Sequence, residues 1–73
     1  MDSAGRDLLA ANLRAARRIL GLTQEELGAL SGIDRAYLSQ IEHGKRNIGL
    51  DHLTELARAL RMPVADLLRE RRD

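Results

Sequence analysis

The chain has 73 residues, 44% of them hydrophobic, with one aromatic, no cysteine, and twelve basic residues against eleven acidic for a net charge of +1. That length gives one domain, burying only about 60% of its unfolded surface, a thin margin that a partner subunit would widen. The composition excludes a disulfide framework, a thiolate zinc site and a polybasic nucleic-acid tail; without a run near ~18 apolar residues or a signal-peptide core, a soluble, cytoplasmic protein in a reducing setting is expected, with no membrane contact.

Met1 to Arg6 reads as a flexible end. A first helix is predicted from Asp7 to Leu20, since Leu9, Leu13, Ala16 and Leu20 recur at helical spacing. Gly21 stops it, and Thr23 with Glu26 three residues on forms the capping-box pattern. The second helix, Gln24 to Leu30, should turn Leu27 and Leu30 inward before Ser31-Gly32 breaks it. Asp34 caps a third helix that runs to His43, with Leu38 and Ile41 inward and Gly44 at its end. After the loop Lys45 to Gly49, a fourth helix spans Leu50 to Arg61, with Leu53, Leu56, Ala57 and Leu60 on one side. Pro63 suits the first turn of a fifth helix carrying Val64, Leu67 and Leu68, and Arg69 to Asp73 is a charged tail. No segment alternates with period two, so the fold class is all-α, its core built from Leu, Ile, Val and Ala.

Helices two and three, joined by a short turn containing glycine, follow the plan by which a protein presents one helix to the major groove of DNA. With Leu38 and Ile41 inward, helix three leaves Arg35, Ala36, Ser39 and Gln40 outward. An arginine in its first turn can lay its fork on the O6 and N7 of guanine; a glutamine pairs with adenine or touches a phosphate; an alanine meets a thymine methyl; a small serine lets the helix sit deep. Thr23 and Gln24 stand at the positive end of helix two, suited to a phosphate. Lys45, Arg46 and Asn47 follow helix three and suit the neighbouring sugar-phosphate chain.

Other constellations are poorer. Glu25 and Glu26 on a first helical turn serve capping and the helix dipole. Ser39 and His43 are four apart, yet no orienting group or oxyanion donor accompanies them, so no enzyme is expected. His43 and His52 lack the cysteines or clustered carboxylates of a metal site, and no cofactor is expected. The arginines at 58, 61, 69, 71 and 72 interleave with Glu55, Asp66, Glu70 and Asp73 as a solvated surface.

Residues 13 to 68 resemble the phage-repressor, or Cro/C1-type (XRE-type), helix-turn-helix family. The matching features are Arg17, Gly21-Leu22-Thr23-Gln24, Leu27, Gly32, Leu38, Ile41-Glu42-His43-Gly44-Lys45, and Leu56, Ala57 and Leu60. The resemblance implies a five-helix, lambda-repressor-like DNA-binding domain over residues 7–68, with the motif formed by helices two and three. It puts the reading role on Arg35, Ala36, Ser39 and Gln40 and backbone binding on Gln24. It further implies an ion pair of Arg17 with Glu42, the competing role for Arg17 being a phosphate contact. Asp34 to Asn47, with Tyr37-Leu38-Ser39 and Arg46-Asn47, is also similar to restriction–modification controller proteins, small homodimeric regulators of transcription. By that analogy Tyr37, Arg46 and Asn47 touch DNA; without it, Tyr37 serves equally as a core filler. Two departures stand out: Gly28, where the family often has alanine, and Ile48-Gly49, where it usually carries proline and serine or threonine.

The expected function is a sequence-specific transcriptional regulator on double-stranded DNA, acting as a homodimer on a pseudo-palindromic operator, with RNA polymerase as a further partner. Its seam is sought among Leu50, Leu53, Met62, Val64, Leu67 and Leu68. The alternative is a protein-interaction module such as the antitoxin of a toxin–antitoxin pair.

Overall fold

A computed structural model describes residues 4–70. Those residues form five helices: α1 Ala4–Ile19, α2 Gln24–Ser31, α3 Arg35–Glu42, α4 Leu50–Ala59 and α5 Val64–Leu67. Helix α1 packs on α3 and α5, α2 packs on α3 and α4, and α4 closes on α5. Every helix contributes at least one fully buried residue to a shared core: Leu13, Leu27, Leu38 and Ile41, Leu56, and Leu67. Truncating any one of these leucines to alanine costs about 2–5 kcal/mol by the general rule for buried aliphatic groups.

The helix boundaries follow local chemistry. Thr23 Oγ1 accepts from the Glu26 N–H at 3.0 Å, and a Glu26 carboxylate oxygen accepts from the Thr23 N–H at 2.8 Å, the full capping box. Asp34 Oδ2 accepts from the N–H groups of Ala36 at 3.0 Å and Tyr37 at 3.3 Å, fixing the start of α3. Helix α1 begins at Ala4, earlier than the sequence pattern suggests, and Arg6 near its start reaches across the fold to Asn47. Of the end segments expected at residues 1–6 and 69–73, residues 4–6 are helical instead, and residues 1–3 and 71–73 lie outside the described residues.

Three corrections to the sequence reading arise here. Leu20 lies beyond α1 and is half-exposed, and Leu30 is 62% exposed rather than inward. In a helix as short as α2 the inward stripe is narrow, and Leu27 fills it. Helix α4 stops at Ala59, two residues before the expected Arg61.

The last of these has a backbone cause. Arg61 takes φ of +58°, and its N–H donates to the Arg58 carbonyl while that of Met62 donates to the Ala57 carbonyl. The same pair of bonds closes α1, where Gly21 holds the left-handed position with φ of +70°. A side chain there costs about 1–2 kcal/mol that glycine avoids. Arg61→Gly is therefore expected to raise stability by about 1 kcal/mol, read as a higher urea midpoint at unchanged slope.

Gly28 carries the opposite lesson. A Cβ built there would stand 2.7 Å from the backbone oxygen of Ile33, inside contact distance of a group that cannot rotate away. Ile33 itself is buried in the turn between α2 and α3, and its N–H donates back to the Gly28 carbonyl at 3.0 Å. The glycine thus lets the turn fold tightly onto α2. Gly28→Ala is expected to lower stability by about 1–3 kcal/mol, although alanine is the better helix former by about 1 kcal/mol. A thermal midpoint at or above that of the parent protein would contradict this.

Asn12 makes a long-range polar tie that the sequence does not signal. It is buried on α1, and its amide nitrogen donates to the carbonyls of Leu67 at 2.9 Å and Arg69 at 2.8 Å. It satisfies carbonyls at and beyond the end of α5, which that four-residue helix cannot satisfy alone.

Candidate nucleic-acid interface

The candidate face is built on α3. Burial of Leu38 and Ile41 fixes the rotation of the helix about its axis. Arg35, Ala36 and Gln40 consequently stand exposed, and Ser39 is half-buried beside them. No hydrogen bond or ion pair engages the Arg35 guanidinium among the described residues, so its fork is available.

The loop after α3 is held against the same face. Tyr37, half-buried, donates its hydroxyl to the Asn47 carbonyl at 3.2 Å. The Arg46 guanidinium carbon lies 5.1 Å from the Tyr37 ring centroid, within cation–π range. The ring also meets His52 of α4 edge-on, with centroids 5.3 Å apart. Arg46 Nη1 donates to Gln40 Oε1 at 2.8 Å, and Arg6 Nη1 donates to Asn47 Oδ1 at 3.1 Å. Tyr37 packs against the core and sits at the rim of the face. Lys45, Arg46 and Asn47 are exposed, and His43 Nδ1 donates to the Ser39 carbonyl rather than meeting its hydroxyl.

Behind the face lies a buried carboxylate. The Glu42 side chain is 0% exposed, and that of Arg17 14%. Arg17 Nε donates to Oε2 at 2.8 Å and Nη2 to Oε1 at 3.0 Å, a two-pronged pair, while its Nη1 donates to the Leu22 carbonyl at 2.8 Å. Gln24 Nε2 donates to Glu42 Oε1 at 3.1 Å, and Arg14 donates to the Glu42 backbone carbonyl. One residue therefore ties α1, α2 and α3 together and fixes how the two helices of the motif sit. Gln24 is half-buried and has a second amide N–H; Thr23 has its N–H and one hydroxyl lone pair committed to Glu26.

Two of the six residues sought as a dimer seam do not qualify. Leu53 and Leu67 are 4% and 0% exposed and belong to the core. Their position on α4 and α5 is common to core and seam, and the sequence pattern does not separate the two. Leu50 and Leu68 are exposed, and Met62 and Val64 are half-buried against the core. Leu20, Leu22, Leu30, Ala59 and Arg61 border a shallow cavity of about 210 Å³ at the far ends of α1, α2 and α4. No group of three or more metal-ligating side chains and no helix long and apolar enough to cross a membrane occurs among the described residues.

Comparison with known proteins gives a consistent picture. The family model described as helix-turn-helix matches residues 13–67. The control protein C.SmaI of Serratia marcescens is 41% identical over 63 residues, covering 86% of this chain and 75% of that protein. The crystal structure of the restriction-modification controller protein C.AhdI from Aeromonas hydrophila superposes with a TM-score of 0.85 at 39% identity, covering 88% of this chain and 97% of that one. The hypothetical transcription factor NHTF from Neisseria gives a TM-score of 0.86 at 38% identity, over 92% of this chain and 76% of the other.

Proposed function

This chain belongs to the helix-turn-helix family, and from that premise we propose that it is a sequence-specific DNA-binding transcriptional regulator of the restriction–modification controller kind. It acts as a homodimer on a pseudo-palindromic operator, and residues 7–68 form the DNA-binding unit. The observation that carries this reading is the outward presentation of Arg35, Ala36 and Gln40 on a helix whose other side is locked in the core. Helix α3 enters the major groove, where Arg35 meets a guanine edge, Ala36 a thymine methyl, and Ser39 allows close approach. Thr23, Gln24, Lys45 and Asn47, with Tyr37 at the rim, hold the sugar-phosphate chain and set the register. The net charge of +1 supports this economy: affinity rests on the placement of a few cations, not on bulk attraction.

A single copy of α3 spans only a few base pairs, and two-fold pairing doubles the sequence read. The seam runs through the exposed Leu50 and Leu68 with the half-buried Met62 and Val64. Two recognition helices then fall about 34–36 Å apart, one turn of the duplex. Selection from random DNA with purified protein tests the proposal. A two-fold symmetric sequence with half-sites one turn apart is expected to emerge, and recovery of unenriched DNA would overturn it. Lys45→Ala is expected to weaken binding to all sequences alike and to lower the slope of log affinity against log salt by about one.

A further inference from the structure

Arginine carries hydrogen-bond donors and no acceptor, so an amide that meets a guanidinium must turn its oxygen toward it. Two amides on the candidate face are fixed in this way. Arg46 takes the oxygen of Gln40 at 2.8 Å, and Arg6 takes the oxygen of Asn47 at 3.1 Å. Both side chains consequently present their NH2 groups elsewhere. Arg46 is itself held at a second point, over the Tyr37 ring at 5.1 Å. Tyr37 is braced by its bond to the Asn47 carbonyl and by the edge of His52.

We propose that Arg46 is a specificity-positioning residue: by taking one lone pair of the Gln40 carbonyl oxygen and setting a cation beside the other, it turns the Gln40 NH2 group to the DNA as the reading group, which selects guanine and disfavours adenine. The inference rests on the DNA-reading function above and goes beyond it by assigning a base and the residue that sets it. A glutamine reading adenine needs both halves of its amide, the nitrogen donating to N7 and the oxygen accepting from the N6 amino group. With that oxygen held by a cation, the adenine amino group meets an acceptor already engaged and a positive charge beside it. Guanine offers N7 and O6, two adjacent acceptors for the NH2 group. The departure from the adenine pairing expected from sequence follows from one contact, between residues six positions apart in α3 and the loop after it.

The test starts from the operator selected with the parent protein. Gln40→Ala identifies the base pair opposite Gln40 as the position whose preference alone disappears. Competition titrations with all four bases at that position then compare the parent protein with Arg46→Ala and Arg46→Met, each checked for an unchanged thermal midpoint. The parent protein is expected to prefer guanine over adenine by about tenfold, the scale of one good base contact. In both Arg46 variants that ratio is expected to fall to near one or to reverse toward adenine, with preferences elsewhere retained. A parent preference for adenine overturns the proposal. So does an unchanged ratio in variants that lose affinity equally for every sequence, which makes Arg46 a phosphate clamp. A Gln40→Ala variant that alters no single position removes Gln40 as a reader. Loss of sequence preference by the parent protein itself is a separate result, which strikes the DNA-reading function.

Discussion

Glu42→Ala is expected to cost about 3–5 kcal/mol, the usual effect of removing one partner of a buried ion pair. Glu42 has no exposed side-chain surface, and the guanidinium of Arg17 facing it is largely covered. Removing the carboxylate leaves that cation with the Leu22 carbonyl alone and releases Gln24 as well. Native domains hold about 5–15 kcal/mol in total, with small ones near the lower end, so most of the protein should be unfolded or close to it. Urea denaturation followed by circular dichroism reads the effect. The pair Arg17→Met with Glu42→Leu is expected to recover much of the loss, because the apolar replacement removes both desolvated charges together. An unchanged midpoint in Glu42→Ala would show that the pair contributes nothing to stability and would free Arg17 to be a phosphate contact.

Arg35→Ala addresses the other end of the problem, recognition without stability. Its guanidinium is exposed and engaged by no partner among the described residues, so thermal stability should stay the same. Binding to the preferred operator is expected to weaken by about 1–3 kcal/mol, with relaxed choice at one base position. Fluorescence anisotropy on the operator and on a scrambled duplex at one salt concentration separates the possibilities. The loss should fall on the operator and spare the scrambled DNA. Equal losses on both would make Arg35 a backbone contact. The contrast with Arg46 is instructive: the charge is the same, but among the described residues the Arg35 guanidinium has no partner and that of Arg46 is committed to Gln40 and Tyr37.

Features set by short-range chemistry were legible in the sequence. The capping box at Thr23 and Glu26, the Asp34 cap and the inward pair Leu38 and Ile41 depend on neighbours within a turn or two. Long-range partnerships were not. The Arg17 and Glu42 pairing spans 25 positions and came from family resemblance, not from spacing. Asn12 carries no local sign of its role, yet it is buried and bonded to the Leu67 carbonyl at the end of α5. Ile33 is a usable signal, an isoleucine inside an otherwise small and polar turn, which has a reason to be there only if the turn is packed. Leu30 faces outward against its pattern because the eight residues of α2 give too few repeats to define a face. Arg61 hid the end of α4, since a left-handed cap without glycine leaves no compositional mark. On the candidate site, sequence placed the outward residues of α3 but not their contacts with the following loop, because those depend on the path of the chain from Gly44 to Asn47.

The Asn12 tie bears on how the molecule is made. Leu9 and Leu13 of α1 share a core with Leu67 of α5, and Asn12 fastens the first helix to carbonyls beyond the last. Helix α1 is synthesised before α5, and until α5 is present α1 can pack on α3 but its flank toward Leu67 stays uncovered. Closure of that flank requires the residues near Leu67 and Arg69 to be present. A stalled nascent chain lacking that stretch would have an open flank, a natural target for proteolysis before any regulator has been completed.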